Sequence, residues 1–407
     1  MCAITGIFAA DRAAGVPAPL LRRMNDAQAH RGPDQHGIHL EPGVGLGHRR
    51  LSIIDLSGGR QPLFNEDETV VVVYNGEIYN FQPLARELAA RGHRFRTHSD
   101  TEVIVHAWEE WGAGCVERFR GMFAFALWDR SRQTLFLARD RLGIKPLYYA
   151  WLADGSLIFG SELKALKQHP DLPRVVAPEA VEDYFAFGYV PEPRTIYAGV
   201  HKLPAGHHLT VRREGPRATP RQYWDVPFAN SGVDMDAATA GAELLERLRE
   251  AVRLRLIAEV PLGAFLSGGV DSSAVVALMA QIMDAQGTGP VNTCSISFGD
   301  PAFNESRYAE QVARRYATAH HTEQLDVDRF DLVDTLAGLY DEPYADSSAM
   351  PTYRVCELAR REVTVALSGD GGDENLAGYR RYRWHSYEER ARSLLPLSVR
   401  RPLSVSY

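Results

Sequence analysis

The chain has 407 residues, 45% of them hydrophobic, which is more than one hydrophobic core usually supports, so two domains are expected. Its 45 Lys+Arg against 52 Asp+Glu leave a formal net charge of -7, without the single-sign excess typical of proteins that bind nucleic acid or membrane surfaces. Four scattered cysteines, no His cluster at metal-ligand spacing and no apolar run of ~18 residues argue against a disulfide framework, a zinc site or a membrane span. With no secretory signal at the N-terminus, the sequence predicts a cytoplasmic protein whose partners are small molecules, and it leaves a homodimer open.

The first half of the chain mixes short apolar strands with helices. Strands are predicted at residues 70–74, 121–128 and 135–138, and helices at 84–91 and 101–111. This α+β pattern with buried strands indicates one domain over residues 2–211. Residues 212–239 are rich in Gly, Pro and other loop-forming residues and have weak periodicity, so they are predicted to form a linker.

From residue 240 to residue 407 the predicted strands and helices alternate. Strands are predicted at 260–266, 292–298 and 362–367, and helices at 242–256, 273–284 and 306–317. This alternation predicts an α/β domain with a doubly wound parallel sheet. Ligands of such sheets bind beyond the carboxyl ends of the strands, so Gly-rich turns at those ends are the candidate sites.

Cys2 stands next to the initiator Met. If Met1 is removed, as we predict, Cys2 carries both a thiol nucleophile and a free α-amine that can act as its base. The pKa of such an amine, ~7.7–8.0, leaves roughly a tenth of it neutral at pH 7. Although a cysteine at this position is more often incidental, position 2 suits a thiol that cleaves an amide.

Four polar residues could recognise a glutamine that such a thiol would attack. Arg50 could clamp the α-carboxylate bidentately, and Asp100 could pair with the α-ammonium. The side-chain amide of Asn75 and the backbone N–H of Gly76 suit an oxyanion hole. Taken singly, Asn-Gly after a strand is usually a hairpin turn, and a lone Arg or Asp is usually a solvated surface charge.

Six motifs occur together in the first half of the chain. They are Met1-Cys2, His30-Arg-Gly-Pro-Asp34, Arg50-Leu-Ser-Ile53, Asn75-Gly-Glu-Ile-Tyr-Asn80, Ser99-Asp-Thr-Glu102 and Arg139-Asp-Arg-Leu-Gly-Ile-Lys-Pro-Leu-Tyr-Tyr149. In this combination and order they resemble the class II glutamine amidotransferase domain of glutamine-hydrolysing asparagine synthetases.

The resemblance implies an α+β N-terminal-nucleophile sandwich with αββα layers. In such a domain Cys2 forms a glutamyl thioester and releases ammonia, and Asn75 and Gly76 are catalytic with it. The implied glutamine-binding residues are Arg50, Leu51, Ile53, Asn75, Gly76, Glu77 and Asp100.

Two Gly-rich turns follow predicted strands in the second half. The first is Ser267-Gly-Gly-Val-Asp-Ser-Ser273, whose backbone N–H groups and following helix N-terminus suit a pyrophosphate. Asp271 in this turn could hold Mg²⁺ or only cap the helix. The second, Ser368-Gly-Asp-Gly-Gly-Asp-Glu374, would lie across the same crevice, although by itself it is also compatible with a simple turn. No GxxxxGK[ST] sequence is present, so a P-loop NTPase is not supported.

Together the two turns resemble the ATP-pyrophosphatase domain of asparagine synthetases. The resemblance implies ATP and Mg²⁺ as cofactors, Asp271 and Asp373 as Mg²⁺ ligands, and Asp370 as a catalytic acidic residue near an acyl-adenylate. The implied ATP-binding residues are Leu266, Ser267, Gly268, Gly269, Asp271, Ser272, Ile296, Ser368 and Gly369. The chain is therefore interpreted as an ATP-dependent carbon–nitrogen ligase that adenylates a carboxylate and converts it to an amide with ammonia from glutamine.

Aspartate is the default acceptor, because residues 341–353 match the family segment near the aspartate site. Residues 187–196 and 221–226 resemble the subgroup associated with exosortase and exopolysaccharide gene clusters, so a sugar or peptide carboxylate is the alternative. A non-catalytic sensor is disfavoured because the catalytic positions are retained. An amide-forming cyclase without glutaminase activity is disfavoured by Cys2.

Three features depart from the family pattern. Ala3 replaces the usual Gly after the cysteine, which predicts a slightly altered entrance to the site. Asp370 stands where many members have the longer Glu. The chain stops at Tyr407, whereas members continue into a helical region that supplies a basic residue facing the pyrophosphate. The chain is therefore expected to be truncated, with a self-sufficient glutaminase half, and a glutaminase-only or non-catalytic fragment is the second alternative.

Overall fold

The computed structural model describes residues 1–13, 15–213, 215, 217–227, 235–299, 304–325 and 332–394. The chain divides into two compact units. Unit 1 comprises Met1–Ala242, Leu254–Val260 and Arg329–Met350, and unit 2 comprises Glu243–Arg253, Pro261–Asp328 and Pro351–Tyr407. A segment late in the chain thus belongs to the same unit as the first half. The predicted linker includes residues outside the described part, and the division of the chain at residue 211 stays a prediction.

The strands, in chain order, are β1 (Ala3–Phe8), β2 (Gln35–Glu41), β3 (Val44–Arg50), β4 (Leu63–Phe64), β5 (Val70–Ile78), β6 (Gly121–Asp129), β7 (Thr134–Arg139), β8 (Tyr148–Trp151), β9 (Leu157–Gly160), β10 (Val200–Lys202), β11 (His207–Arg212), β12 (Arg221–Gln222), β13 (Leu262–Phe265), β14 (Asn292–Phe298), β15 (Ala319–Leu325) and β16 (Val365–Leu367). The helices are α1 (Ala18–Asp26), α2 (Phe81–Ala90), α3 (Glu102–Trp111), α4 (Cys115–Arg118), α5 (Leu163–Leu166), α6 (Pro178–Phe187), α7 (Ala237–Arg255), α8 (Val270–Gln286), α9 (Ser306–Arg315), α10 (Val333–Leu339), α11 (Ala349–Glu362), α12 (Gly372–Leu376) and α13 (Arg380–Ser393). Within the described residues, none of these helices is both long and apolar enough to cross a membrane.

Unit 1 is built on two six-stranded antiparallel sheets. The first has the strand order β10-β8-β9-β1-β3-β2 and the second β12-β11-β7-β6-β5-β4. Their inner faces pack together through residues such as Ile4 and Leu46 of the first sheet and Val71 and Trp128 of the second. The outer face of the second sheet packs against α2 and α3, and the outer face of the first packs against α1, α5 and α6. The resulting layers of helix, sheet, sheet and helix confirm the predicted αββα sandwich.

Strand β5 shows why a run of apolar residues forms a strand at this place. Val71 and Val73 face the core between the sheets, whereas Val72 and Tyr74 face the helices. Successive side chains of a strand point to opposite faces, and both faces of this sheet are covered, so an uninterrupted apolar run is stable there. The strand predicted at this position is confirmed and continues to Ile78. The other strands and helices predicted for this half are confirmed with small shifts at their ends.

Unit 2 contains a four-stranded parallel sheet with the order β15-β14-β13-β16. The chain passes from β13 through α8 to β14 and through α9 to β15, and it then returns to β16 on the other side of β13. This order confirms the predicted doubly wound parallel sheet. The order reverses between β13 and β16, and open α/β sheets bind their ligands beyond the strand ends at such a point.

Two features of this sheet differ from the sequence prediction. Strand β15 has the polar sequence AHHTEQL and gave no apolar signal, because it lies at the edge of the sheet. The strand predicted at 362–367 begins too early, since Glu362 is the last residue of α11 and β16 starts at Val365. Periodicity in so short an apolar run does not separate the end of a helix from the start of a strand.

Candidate functional site

Cys2 lies directly before β1, where β1 begins to pair with β3. Its backbone carbonyl accepts a hydrogen bond from Nε of Arg31 (3.0 Å), and Arg31 forms an ion pair with Glu162 (3.1 Å). Its sulfur lies 3.4 Å from the backbone nitrogen of Leu51, which donates to it. The thiol is therefore held beside the carboxyl end of β3, next to the predicted glutamine-binding residue Leu51.

The thiol of Cys2 is kept protonated by its surroundings. Burial raises its pKa, and the hydrogen bond from Leu51, the amine of Met1 and the charge of Arg50 only partly oppose that rise. Since a raised pKa makes the thiolate scarce at neutral pH, nucleophilic attack needs a base close to the sulfur. This environment is compatible with the α-amine as the base, which stays a prediction.

Arg50 is buried (4% exposed) and is not a solvated surface charge. Its Nη1 donates to Gln35 Oε1 (3.0 Å) and to the carbonyl of Leu56 (3.2 Å). Its Nη2 donates to the carbonyls of Ile54 (3.0 Å) and Asp55 (2.7 Å). The guanidinium thus folds the loop after β3 around itself. Because both Nη groups have protein acceptors, a bidentate clamp on glutamine would require this loop to give up hydrogen bonds, and that role stays a prediction.

The same loop is anchored by a residue from later in unit 1. The carboxylate of Glu259 accepts hydrogen bonds from the N–H groups of Asp55 (2.9 Å) and Leu56 (3.3 Å). The N–H of Glu259 in turn donates to the carbonyl of Ile53 (2.9 Å). The backbone around the predicted glutamine-binding residues Leu51 and Ile53 is therefore held from both sides.

Asn75 and Gly76 lie inside strand β5, so the alternative of a hairpin turn is wrong. The Asn75 side chain is fully buried (0% exposed), yet neither its Oδ1 nor its Nδ2 has a hydrogen-bond partner among the described residues. An unpaired buried polar group costs about 1–3 kcal/mol, so its presence calls for an explanation such as a ligand that completes its bonds. A Cβ on Gly76 would overlap the carbonyl oxygen of Met122 in β6, so only glycine fits there. The pair is suited to an oxyanion hole, as predicted from the motif.

We expect Asn75→Ala to lower kcat for glutamine hydrolysis by about 10²–10³-fold with little loss of stability. The substitution removes a side-chain amide that forms no hydrogen bond with any described residue, so it leaves no protein group unpaired. Steady-state kinetics and thermal unfolding of the full chain check both expectations. Asn80→Ala is the matched control, because that amide bonds to the backbone at Arg118 (3.0 Å) and Arg120 (2.8 Å) and should affect stability more than kcat. An unchanged kcat in Asn75→Ala would contradict the assignment.

Asp100 is also buried (5% exposed) and lies beside the end of β5. Its Oδ2 accepts hydrogen bonds from the hydroxyl of Tyr74 (2.8 Å) and the N–H of Ile78 (3.0 Å). Burial raises the pKa of Asp100, and burial together with the charge of Asp100 raises the pKa of Glu77 to about 7. A buried carboxylate and a half-buried one that repel each other would stabilise a cation placed near both. Their arrangement is compatible with the predicted binding of the α-ammonium.

Lys145 is a candidate site residue that the sequence analysis did not single out. It is buried (4% exposed), and burial lowers the pKa of its ammonium group. The charge of Glu77 and, less strongly, that of Cys2 act in the opposite direction and raise this pKa. The carboxylate of Asp140 positions its loop by accepting hydrogen bonds from three backbone N–H groups at residues 142, 144 and 145. The signal was present in the motif that begins at Arg139, where an aspartate precedes a Gly-containing turn and a lysine.

In unit 2, residues 266–269 form a tight turn between the carboxyl end of β13 and the start of α8. The N–H of Leu266 donates to the carbonyl of Cys294 (3.0 Å), which ties the turn to β14. The hydroxyl of Ser267 lies 3.0 Å from that of Ser272 and accepts the N–H of Gly269 (3.2 Å). Since α8 begins immediately after Gly269, its free N–H groups adjoin this turn, an arrangement that suits phosphate oxygens.

Glycines in both turns permit close packing around Asp271. Gly268 has φ +87°, and a Cβ there would lie 2.5 Å from the Cβ of Tyr308. A Cβ on Gly369 would lie 2.7 Å from the backbone nitrogen of Ser272, and a Cβ on Gly372 would overlap the carboxylate of Asp271. The turn after β16 therefore meets the start of α8 at the point where the strand order reverses.

The remaining predicted residues of this site lie on or beside these turns. Asp370 is exposed and accepts a hydrogen bond from the Ser368 hydroxyl (2.9 Å). Asp373 lies in the first turn of α12, and Ile296 is half-buried on β14. The Asp271 carboxylate accepts no hydrogen bond from any residue the structure describes, which fits a group that would hold Mg²⁺ through oxygen. The roles of these residues stay predictions.

A cavity of about 600 Å³ lies in unit 1, between α6 and the segment at residues 332–350. The rings of Tyr340 and Tyr344 stack in its wall, with centroids 4.7 Å apart and planes at 21°. Its acidic residues include Asp341, whose carboxylate lies 3.6 Å from Nζ of Lys164. This segment overlaps the residues that were predicted to lie near the acceptor.

Comparison with known proteins assigns a family to each half of the chain. Residues 1–224 match the family described as glutamine amidotransferase domain, and residues 243–406 match the family described as asparagine synthase. The putative asparagine synthetase [glutamine-hydrolyzing] 2 of Methanocaldococcus jannaschii is 38% identical in an alignment of 402 positions that covers 93% of this chain and 76% of that protein. Asparagine synthetase [glutamine-hydrolyzing] 1 of Bacillus subtilis is 36% identical over 387 residues, 94% of this chain and 60% of that protein.

A Penicillium rubens protein named amidase chyE is 34% identical in an alignment of 397 positions that covers 88% of this chain and 54% of that protein. This chain thus spans about three quarters of the archaeal relative but only about three fifths or half of the other two. Because both domains match in the same order and the archaeal protein is matched over most of its length, this chain is an enzyme of the glutamine-hydrolysing asparagine synthetase family.

Proposed function

We propose that this enzyme transfers ammonia from glutamine to a carboxylate that it has activated with ATP. The single observation that carries the glutaminase half is the Asn75 side chain, which is buried and has no partner among the described residues. Cys2 attacks the carboxamide carbon of glutamine while its proton passes to the α-amine, and Asn75 and Gly76 donate to the oxyanion. Ammonia leaves with a proton from that amine, and water then hydrolyses the glutamyl thioester to glutamate.

Four further residues of unit 1 would hold the substrate in place. Asp100 and Glu77 would face the α-ammonium, and Lys145 would oppose their combined negative charge. The raised pKa of Glu77, about 7, means that a bound cation would also favour its ionised form. Arg50 would act on the α-carboxylate, either directly or through the loop that it folds.

In the second half, a carboxylate oxygen of the acceptor attacks the α-phosphorus of ATP. The bond between the α- and β-phosphates breaks and pyrophosphate leaves. Ammonia then attacks the acyl carbon of the mixed anhydride, and AMP leaves. The backbone N–H groups of the turns at 267–272 and 368–372 would hold phosphate oxygens. Mg²⁺, when bound, supplies charge that neutralises the phosphates, and Asp271 and Asp373 would hold it.

Aspartate is the proposed acceptor, and a larger carboxylate in a sugar or peptide is the second candidate. The cavity of about 600 Å³ favours the second candidate, because it is lined by Tyr184, Tyr340 and Tyr344 and offers room for more than one amino acid. Stacked tyrosines give flat apolar surfaces on which sugar or peptide groups can pack.

We expect ATP to be split into AMP and pyrophosphate, because the phosphate-binding turns lack a Walker lysine. The full chain is incubated with ATP, Mg²⁺, glutamine and one acceptor, and the nucleotide products and the amide are identified by chromatography and mass spectrometry. Parallel reactions with aspartate and with an acidic sugar or a carboxylate-bearing peptide decide between the two acceptors. Formation of ADP and phosphate would contradict the proposed adenylation.

A further inference from the structure

Two histidines and several carboxylates converge in unit 1 at a place that the proposed reaction does not use. His106 lies in α3 and is fully buried, His93 lies in the loop after α2, and Glu66 follows β4. One ligand atom from each of these three residues lies within 4.8 Å of the other two. Glu109 lies on the next turn of α3 and faces the same space.

The distances in this cluster are compatible with a set of metal ligands. Nδ1 of His106 lies 3.4 Å from Oε2 of Glu66 and 3.2 Å from Oε2 of Glu109. Nδ1 of His93 lies 3.6 Å from the same oxygen of Glu109. Bonds of ~2.1 Å in a tetrahedral zinc site place neighbouring ligand atoms ~3.4 Å apart. Two of the three separations are longer than a normal hydrogen bond and match this value.

The polar atoms around the cluster are oriented as in a ligand set. Oε2 of Glu66 is buried and accepts no hydrogen bond from any described residue, whereas its Oε1 accepts the N–H of Arg94 (3.1 Å). Oε1 of Glu109 is likewise held by the amide of Asn65 (2.7 Å), which leaves Oε2 toward the histidines. Each carboxylate thus has one oxygen fixed by the protein and one directed inward.

The second ring nitrogen of His106 also fits this arrangement. Nε2 is buried without a hydrogen-bond partner among the described residues, and it points toward Oε1 of Glu102 at 3.5 Å. A carboxylate on the far nitrogen of a histidine favours the tautomer whose near nitrogen is free to bind a metal. The carboxylate of Glu102 is held in position because it accepts hydrogen bonds from the backbone N–H groups of Arg96 and Thr97, each at 2.7 Å.

Carboxylates surround both histidines of the cluster. Oxygens of Glu66, Glu102 and Glu109 lie 3.4 Å, 3.5 Å and 3.2 Å from ring nitrogens of His106. An oxygen of Glu110 lies 3.6 Å from Nε2 of His93. A divalent cation held among these side chains would offset part of this concentration of negative charge.

We propose that Glu66, His93, His106 and Glu109 bind one divalent transition-metal cation such as Zn²⁺. Imidazole nitrogens and carboxylate oxygens at this spacing suit Zn²⁺ and Co²⁺ better than Mg²⁺ or Ca²⁺, which prefer oxygen ligands alone. The cation would join the loop after β4, the loop after α2 and helix α3. Spacing along the sequence argued against a zinc site, because the fold and not a local motif brings these residues together.

The test is metal binding by the full chain after removal of metals with a chelator. Titration calorimetry with Zn²⁺ should give one site per chain, and saturation should raise the thermal unfolding temperature. Glu66→Gln and His93→Asn should each weaken Zn²⁺ binding by about tenfold or more. His98→Asn is the matched control, since that side chain is exposed a few residues from His93 and should leave binding unchanged.

Co²⁺ absorption spectra distinguish this site from adventitious binding at a thiol. Visible bands of a tetrahedral Co²⁺ site without a sulfur-to-metal charge-transfer band, lost in His93→Asn and kept in Cys2→Ala, would support the proposal. Binding that disappears in Cys2→Ala instead would overturn it. A stripped chain that binds no stoichiometric Zn²⁺ would also overturn it and would leave direct contacts between histidines and carboxylates as the complete account of the cluster.

Discussion

Replacing Cys2 with alanine will lower glutamine hydrolysis by about 10⁴-fold or more, while amide formation from added ammonia continues. The sulfur of Cys2 forms the thioester bond to the glutamyl group, and none of the other glutamine-site residues described above carries a thiol. Ammonia supplied from solution bypasses this step, because the adenylating half is in unit 2 and does not use the thiol. Glutamate release and ammonia-dependent AMP formation by the same preparation are the two measurements.

Cys356→Ala provides the control for loss of a thiol. Cys356 is exposed and lies in α11 of unit 2, so its replacement should leave glutamine hydrolysis unchanged. Glutaminase activity that survives in Cys2→Ala would show that another residue is the nucleophile. Loss of ammonia-dependent activity together with glutaminase activity would show that the substitution damages more than the thiol.

Replacing Asp271 with asparagine will reduce pyrophosphate formation by about 100-fold or more and will leave glutamine hydrolysis intact. Asparagine has the same shape as aspartate, so the contacts with the turn at Gly369 and Gly372 are preserved and the negative charge alone is lost. One lost charge-based interaction at a developing phosphate charge costs about 3 kcal/mol, or roughly a hundredfold in rate. Pyrophosphate release with acceptor and ammonia is the measurement.

Asp284→Asn is the matched control, because Asp284 is exposed at the other end of the same helix, α8. It removes the same charge from the same element without approaching the turns, and its pyrophosphate formation should equal that of the wild type. Equal activities of Asp271→Asn and Asp284→Asn would contradict the assignment of Asp271. The rate of pyrophosphate formation by Asp271→Asn is also measured at increasing Mg²⁺ concentrations. A requirement for more Mg²⁺ than the wild type needs would show that the lost charge helps to hold the metal.

Local sequence patterns were sufficient to predict the helices and strands that bury apolar residues. They were insufficient to predict polar elements and contacts between distant parts of the chain. Strand β14 was predicted with its observed ends, whereas the edge strand β15 was missed because it is polar. The membership of residues 329–350 in unit 1 depends on distant contacts, such as the carboxylate of Glu342 with the N–H of Ile196 (2.8 Å) and Nζ of Lys202 (2.7 Å). No local pattern encodes such pairings.

The candidate sites show the same division between chemistry and environment. The identity of a nucleophile, an amide donor or a Gly-rich turn can be read from residue types and motif spacing. The burial of a side chain cannot be read in this way, and it changes the interpretation of individual residues. Arg50 is enclosed by its own loop, and Lys145 is a candidate site residue because it is buried and interacts with the charge of Glu77. The cluster of Glu66, His93 and His106 is invisible in the sequence for the same reason.

If Cys2 is the nucleophile that carries the glutamyl group, the glutamyl thioester can be trapped on this residue. The full chain is mixed with glutamine, quenched in acid within its first turnovers, digested at low pH and analysed by mass spectrometry. We expect a glutamyl adduct on the N-terminal peptide, attached to Cys2 in a chain that begins at this residue, and none in Cys2→Ala. An adduct on Cys115, Cys294 or Cys356, or continued hydrolysis with no adduct on any cysteine, would contradict the account.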